Sequence, residues 1–219
     1  MKRVTLEQLK TVMAHLPPNP RIVASGNFAA PHAVLRVLDE QVPEYTLHML
    51  NAQPGIPDRE GVIFETCFVG PAMRHSPRLR YIPSRLSLVP VLYRGPLRPD
   101  AVIVHASAPR YDTVSLGIEV NVMPAAIEAA RELGAPVIVQ ANPQMPYTYG
   151  DGQLYDTEID YLVEVDEPVA EAAPREPPTE SVAGEEDPGA GLEVLRQGLG
   201  GSPQSRALRP LCSMYADSM

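Results

Sequence analysis

The sequence predicts an α/β fold, an open and mostly parallel sheet with flanking helices. Apolar, β-branched runs at residues 100–105 and 136–139 are typical of buried strands. Strand, loop and helix patterns follow one another three times at the spacing of βαβ units. Such repetition favours parallel strands covered by helices on their faces.

The first βα unit lies near the start of the chain. Residues 5–16 carry apolar side chains at helical spacing, with Thr5 as N-cap candidate, and the prolines that follow end this helix. Residues 21–24 then indicate a short strand, Gly26 and Asn27 a turn, and Pro31 the opening of a second helix. The free amides of such a helix can bind an anion, or the turn can simply be tight, and both interpretations remain open.

The middle of the chain is less regular. An alternating strand is expected at 45–50, and residues 61–66 form either a strand or a buried loop. A helix start is expected at 70–74, a short extended piece at 80–83, and a loop or short helix at 86–91.

The next stretch returns to α/β spacing. After the strand at 100–105, a loop at 107–117 leads to a helix at 124–133 with proline in its first turn and Gly134 as its cap. After the strand at 136–139, a polar and aromatic loop at 147–160 precedes a last strand at 161–165. Ligands of open α/β sheets bind beyond the carboxyl ends of strands, which places this long loop at the expected site.

The composition changes near Glu167. The segment after Glu167 is rich in proline, low in hydrophobicity and acidic. A segment of this composition buries too little apolar surface to offset the conformational entropy lost on folding. The sequence therefore predicts one domain at 1–167 and an acidic, proline-rich tail at 168–219 that is disordered or out of frame.

Charge and cysteine usage narrow the function classes. The 219 residues carry a net charge of −9, which argues against nucleic-acid and anionic-membrane partners. No apolar run approaches the ~20 residues of a membrane span, and the charged N-terminus does not read as a signal peptide. Cys67 and Cys212 lack metal-ligand spacing, and the histidines are scattered, so we expect reduced thiols, no metal and a cytoplasmic location.

Three motifs resemble one family. Residues 142–151 read NPQMPYTYGD, residues 157–164 read TEIDYLVE, and residues 114–117 read VSLG. Together they resemble the acetyl-CoA hydrolase/transferase family, which includes acetate and 4-hydroxybutyrate CoA-transferases. The similarity covers roughly residues 5–170 and identifies the domain with the first domain of such a CoA-transferase.

The resemblance implies CoA transfer between an acyl-CoA and a small carboxylic acid of the acetate or 4-hydroxybutyrate type, or acyl-CoA hydrolysis. Coenzyme A would be a co-substrate, and no metal is implied. In the family, a glutamate carboxylate attacks the thioester to give a mixed anhydride and then a glutamyl-CoA thioester. The residues expected to contact substrate are Gly26, Asn27, Ser115, Leu116, Gly117, Asn142, Gln144, Met145, Pro146, Gly150 and Asp151.

The family's nucleophilic glutamate belongs to a second domain, and its motif is not found in this sequence. Glu119, just after the Ser-Leu-Gly loop, does not occupy that position. We therefore assign no catalytic residue and expect a truncated or frame-disrupted relative that is inactive alone. The alternatives are a non-catalytic acyl-CoA-binding remnant and a subunit completed by another chain, and a homodimer is a further option.

Several residues keep two interpretations. Asn142, Gln144 and Asp151 either face the substrate or stabilise their loop. Glu158 and Asp160, two apart on a predicted strand, form either an acid–base pair or a helix cap or arginine partner.

Two departures from the family pattern bear on the substrate loop. Gln140 stands where the family commonly has glutamate, and residues 105–110 replace a more usual Ser-Pro-Pro-Asp. Ser115 lacks the G-x-S-x-G context of a hydrolase nucleophile.

Overall fold

A computed structural model describes residues 1–171 of the protein. The strands are β1 (Lys2–Arg3), β2 (Arg21–Ala24), β3 (Tyr45–His48), β4 (Val62–Thr66), β5 (Leu79–Tyr81), β6 (Ala101–Ser107), β7 (Thr113–Ser115), β8 (Val137–Asn142), β9 (Gln153–Tyr155) and β10 (Tyr161–Glu164). Eight of them form one parallel sheet in the order β1-β10-β8-β6-β2-β3-β4-β5. The remaining two, β7 and β9, pair antiparallel in a separate ribbon.

Helices cover both faces of the sheet. They are α1 (Leu6–Ala14), α2 (His32–Gln41), α3 (Val89–Tyr93) and α4 (Met123–Leu133). Helices α1 and α2 pack together over one apolar cluster, and α3 and α4 pack over the other. The predicted parallel sheet with flanking helices is thereby confirmed.

Local signals account for the helix ends. The Thr5 hydroxyl accepts from Gln8 N at 3.2 Å, while the Gln8 side chain accepts from Thr5 N at 2.9 Å, which completes a capping box at the start of α1. Helix α4 has Pro124 in its first turn and ends at Gly134, whose φ of 70° is readily adopted by glycine.

Three expectations about local structure are corrected. Residues 71–75 form consecutive turns rather than the helix start expected at 70–74, because the Ala72 amide donates to the Ala52 carbonyl oxygen at 3.1 Å and the Gly70 backbone packs on the same loop. The two expected loops at 107–117 and 147–160 contain β7 and β9. Strand β1 was missed because two charged residues carry no strand periodicity.

Strand β8 extends three residues beyond its predicted end. Gln140, Ala141 and Asn142 continue the pairing with β6 and are fully buried. The sequence pattern ended the strand at Val139 because polar side chains rarely lie inside a parallel sheet. Here their side chains are hydrogen-bonded to neighbouring loops and to α2.

The order of the strands places a switch point between β2 and β6. From β2 the chain moves outward through β3, β4 and β5, and then returns to β6 on the opposite side of β2. Crossover loops on the two sides therefore diverge above β2 and β6. In open α/β sheets, this divergence opens a crevice at the carboxyl edge, where ligands bind.

Within residues 1–171, no helix is long and apolar enough to cross a membrane. The same residues contain no cluster of histidine, cysteine or acidic side chains that could hold a metal ion. The predicted domain boundary at residue 167 stays a prediction, and the predicted tail lies outside the described residues from 172 onward.

Candidate functional site

One buried carboxyl group lies at the switch point, in the loop between β7 and α4. Asn27, just after β2, donates from Nδ2 to Glu119 Oε2 at 2.6 Å. Asn51, after β3, donates to the side-chain oxygen of Asn27, and Asn121 donates to Glu119 Oε1. Loops that follow β2, β3 and β7 thus converge on a single carboxyl group at the predicted edge of the sheet.

The three asparagines share an unusual backbone conformation. Their φ angles are 45° at Asn27, 48° at Asn51 and 20° at Asn121. Asparagine adopts positive φ more readily than other non-glycine residues, because its short side chain forms local hydrogen bonds. Asparagine therefore suits these three positions for two reasons: its backbone adopts the positive φ of the turn, and its carboxamide forms the hydrogen bonds of the cluster.

In this cluster, every hydrogen-bond partner of the Glu119 carboxyl group is an uncharged side chain. Its residue exposure is 6%, and burial raises the pKa of its carboxyl group, while the hydrogen bond from Asn27 opposes that rise. A carboxyl group that binds its proton more tightly than usual is suited to proton transfer and repels an anionic ligand less. Asn27 was among the predicted residues, but Glu119, Asn51 and Asn121 were not.

Gly26 is required by packing. A β-carbon at this position would lie 1.9 Å from the Leu50 carbonyl oxygen. The next residue, Asn27, donates its backbone amide to that same oxygen at 3.2 Å. The contact supports the tight-turn interpretation, and a ligand role for Gly26 and Asn27 stays a prediction.

Ser115 joins two loops. Its hydroxyl donates to the Thr148 carbonyl oxygen at 2.8 Å and accepts from the amides of Thr148 and Gly117 at 3.0 and 3.1 Å. Its own amide donates to the Ser107 hydroxyl at 3.0 Å. The Ser115 hydroxyl is buried and all of its hydrogen-bonding capacity is used. In this structure it therefore connects the loop of residues 143–150 to the Ser-Leu-Gly turn.

The Ser-Leu-Gly turn packs on Met145. Gly117 has a φ of 63°, and a β-carbon there would meet Met145 Sδ at 2.4 Å. Leu116 and Met145 are both buried in the described domain. The structure therefore brings four of the predicted residues, Ser115, Leu116, Gly117 and Met145, together in contacts that pack the loop, and their predicted substrate role stays a prediction.

Asn142 and Gln144 lie at the end of β8 and contact the segment after β10. Asn142 accepts from Gln144 N at 3.0 Å and donates to the Glu167 carbonyl oxygen at 2.7 Å. Gln144 is exposed and donates from Nε2 to Asp166 Oδ1 at 2.6 Å. Both side chains stabilise loops in this structure.

The remaining predicted residues lie on the outside of the loop. Pro146, Gly150 and Asp151 are exposed, and Gly150 has a φ of 88° with open space around its α-carbon. They are not brought to the Glu119 cluster by any described contact. Their predicted substrate role stays untested.

Glu158 and Asp160 cap neighbouring backbone instead of sharing a strand face. Glu158 Oε2 accepts from Tyr155 N at 2.8 Å at a 3-10 turn, and Asp160 Oδ2 accepts from Val137 N at 2.8 Å at the start of β8. Both precede β10, so the expected common strand face is wrong. The capping interpretation is the one observed.

A concave surface of about 1190 Å³ lies at the opposite, amino edge of the sheet. It is lined by the start of the chain, the end of α1 and the turns before β6 and β8. Its two strand-edge carboxylates, Asp100 and Asp160, are engaged by the amides of Arg21 and Val137. We therefore place the candidate site at the carboxyl edge, where the chemistry-bearing side chains converge.

No family model matches the chain. It is similar to the 4-hydroxybutyrate coenzyme A transferase of Clostridium kluyveri, with 29% identity over 152 residues that cover 65% of this chain and 34% of that protein. The chain thus spans about a third of the length of this curated relative.

Solved structures share the fold. RipA from Yersinia pestis matches with a TM-score of 0.70 at 18% identity, over 80% of this chain and 45% of that one. A 4-hydroxybutyrate CoA-transferase from Porphyromonas gingivalis matches with a TM-score of 0.59 at 22% identity, over 79% of this chain and 41% of that one. The sequence relative confirms the predicted resemblance of this chain to the 4-hydroxybutyrate CoA-transferases, and the solved structures show that the fold is shared.

Proposed function

We propose that this chain binds an acyl-CoA at the carboxyl edge of its sheet and takes part in CoA transfer to a small carboxylic acid of the acetate or 4-hydroxybutyrate type, in the cytoplasm. The observation that carries the proposal is the Glu119 cluster at the switch point of the sheet. The similarity to a 4-hydroxybutyrate coenzyme A transferase supports the choice of reaction.

In this proposal, the raised pKa of Glu119 has a specific use. An anionic glutamate in the crevice would repel both the acceptor carboxylate and the phosphates of CoA. Burial makes the Glu119 carboxyl group easier to protonate than an exposed one when such an anion binds, and the hydrogen bond from Asn27 opposes this effect. Glu119 then acts as a positioning residue that holds Asn27 at the carboxyl edge of the sheet.

The nucleophile of the proposed reaction comes from elsewhere. Both carboxyl oxygens of Glu119 accept hydrogen bonds from asparagine, and Glu65, the other buried glutamate of the described domain, is bound by Arg21 and His48. Neither offers a free carboxylate for attack on a thioester. We infer that a second α/β domain, on this chain or another, supplies the nucleophilic glutamate.

Exposed apolar side chains support such a covering domain. Leu86, Leu88 and Val91 lie in one segment, the 3-10 turn Leu86–Leu88 and α3, and are each at least half exposed. Apolar side chains concentrated on one short segment are typical of a surface that another domain or subunit covers. A second copy of the chain is an alternative occupant of the same surface.

The full engagement of Glu119 also favours a second candidate, an acyl-CoA-binding domain without turnover. The two candidates differ in one measurement, the exchange of labelled acetate into acetyl-CoA after a second domain is supplied. We expect no exchange and no thiol release from the 219-residue chain alone. Exchange that appears with the added second domain supports CoA transfer, and its absence supports binding only.

Binding is tested first, by calorimetric titration of the 219-residue chain with acetyl-CoA. Asn27→Gly removes the carboxamide while keeping a residue that accepts positive φ, and we expect about tenfold weaker binding. Asn19→Gly is the matched control, because Asn19 has a φ of 51° and is exposed far from the crevice. Absence of acetyl-CoA binding by the unmodified chain would overturn the proposal, and exchange at ordinary enzymatic rates without a second domain would overturn the inferred nucleophile.

A further inference from the structure

Two polar side chains lie side by side under the start of α2. His105 on β6 and Gln140 on β8 are register partners, so their side chains leave the sheet on the same face. Adjacent strands are about 4.8 Å apart, which allows one small group to contact both. His105 is 4% exposed and Gln140 is fully buried. Both belong to the positions at which the sequence departs from the family pattern.

The orientation of Gln140 is set by α2. Its Oε1 accepts from the amide of Val34, in the first turn of the helix, at 3.1 Å. Because a backbone amide can only donate, the side-chain atom of Gln140 that faces Val34 must be Oε1. The Nε2 amide group then points away from Val34. Within residues 1–171, Nε2 has no acceptor.

The tautomer of His105 follows from Asn142. The amide oxygen of Asn142 accepts from Gln144 N, so Nδ2 is the atom that faces His105 Nε2 at 3.1 Å. Nε2 must accept, and the ring proton then lies on Nδ1. Burial and the nearby His32 lower the pKa of His105 to about 4, against the opposing effect of the Ala30 backbone carbonyl, so the ring is neutral at physiological pH. Within the described residues Nδ1 donates no hydrogen bond of normal geometry, and the Ala30 carbonyl oxygen is the protein acceptor that lies near the ring.

The site is therefore short of an acceptor. Two buried N–H donors, His105 Nδ1 and Gln140 Nε2, lie together where α2 begins, and buried donors are almost always paired. The N-cap residue of α2, Pro31, offers no side-chain acceptor, Gln140 Oε1 engages only the Val34 amide, and the amino end of the helix carries partial positive charge. An anionic oxygen satisfies all three features, whereas the glutamate that the family commonly carries at position 140 would repel it.

We propose that His105 and Gln140 bind the carboxylate group of a small monocarboxylic acid at the amino end of α2. The inference builds on the proposed function, because it places the acceptor acid, but carboxylate binding itself requires neither CoA nor a second domain.

The segment after β10 supplies the route of entry. It is held by Glu167, whose carbonyl oxygen accepts from Asn142 and whose carboxylate pairs with Arg36 at 2.8 Å. Arg36 is two-thirds exposed and lies on α2, so it can attract a carboxylate from solvent. The ligand enters by displacing Glu167 from the end of β8.

The test uses the full 219-residue chain with labelled histidine and follows the His105 ring by NMR across pH, with sodium acetate or with sodium chloride at equal ionic strength. A bound carboxylate favours imidazolium, so we expect acetate to raise the pKa of His105 from about 4 toward its ordinary value. Half-saturation should be on the order of millimolar, as expected for a ligand of so few atoms.

Gln140→Glu sharpens the test, because it replaces the donor by a built-in carboxylate and preserves the acceptor for Val34. In this variant the pKa of His105 should be raised without acetate, and acetate affinity should fall at least about tenfold. Gln41→Glu makes the same change at the far end of α2 and should leave the acetate response intact. The measurement on the unmodified chain stands if the variant does not fold.

The outcomes separate clearly. A His105 ring that ignores acetate would mean that only internal water satisfies the two donors, and the proposal would be wrong. An equal response to chloride would overturn the carboxylate class. Acetyl-CoA titration reports on the Asn27 crevice separately, so acetate binding without acetyl-CoA binding would reject the proposed function and keep this site.

Discussion

Two glutamates are almost equally buried in this domain, yet their carboxyl groups shift in opposite directions. Glu65 on β4 is 4% exposed, and Glu119 at the switch point is 6% exposed. Burial alone would raise the pKa of Glu65, but hydrogen bonds from His48 and Arg21 and the charge of Arg21 lower it overall. Burial raises the pKa of Glu119, and its asparagine partners bring no charge.

The difference is one of partners rather than of depth. Arg21 Nε lies 2.9 Å from Glu65 Oε1, and His48 Nδ1 lies 3.3 Å from the same oxygen. A cation compensates for the water lost on burial, whereas a carboxamide donates a hydrogen bond without compensating for charge. Glu65, which is paired with a cation, connects neighbouring strands of the sheet. Glu119, which has only uncharged partners, can instead contribute to a ligand-binding site.

The strongest test removes the cation. Arg21→Met keeps the length of the side chain but leaves Glu65 buried without its main partner, and we expect the free energy of unfolding at neutral pH to fall by about 3 kcal/mol. Urea denaturation measures the loss. Arg98→Met is the control, because Arg98 is exposed and forms no salt bridge with the described residues. Equal stability of the two variants would mean that Glu65 does not depend on Arg21.

The pH dependence distinguishes the two glutamates. Because the pKa of Glu65 is lower in the folded protein than in the unfolded chain, its contribution is present above the ordinary carboxyl range and is lost as pH falls through the folded value. Glu65→Gln should therefore be about 2 kcal/mol less stable than the unmodified protein at neutral pH, with the difference narrowing in acid. Glu60→Gln, at an exposed position, should show neither effect. A difference that persists unchanged in acid would contradict the ion pair.

The smallest expected effect concerns the neutral cluster. Asn27→Asp places a second carboxyl group against Glu119 and should raise the pKa of Glu119 further. Since a raised carboxyl pKa gives stability that is present in acid and lost as pH rises through the folded value, the variant should weaken on going to neutral pH, by on the order of 1 kcal/mol.

Asn19→Asp is the matched control for that variant. Asn19 is exposed and has a φ of 51°, close to the 45° of Asn27, so the backbone cost of the substitution is the same. Thermal unfolding at several pH values compares the two. Identical pH profiles would show that Glu119 is not held in a neutral, buried environment.

The successful sequence predictions rest on local patterns. Residues 100–105 were predicted as a strand because apolar, β-branched side chains follow one another, and the structure has β6 at Ala101–Ser107. Helix α4 was delimited by Pro124 and Gly134. The failures have non-local causes. Strands β7 and β9 are only three residues each and gain their structure from pairing with each other across the chain. The turns after Gly70 depend on the backbone of a loop some twenty residues earlier.

The sequence by itself determined the α/β class, the main helices and strands and the resemblance to CoA-transferases, and of the Glu119 cluster it singled out Asn27 alone. Only the tertiary structure decided that Asn27 contacts Glu119, 92 residues away, and that Glu65 contacts Arg21 instead. The physical reason is that periodicity and turn chemistry act between near neighbours in the chain. The protonation state of a buried carboxyl group depends on whichever charges and donors the fold brings against it.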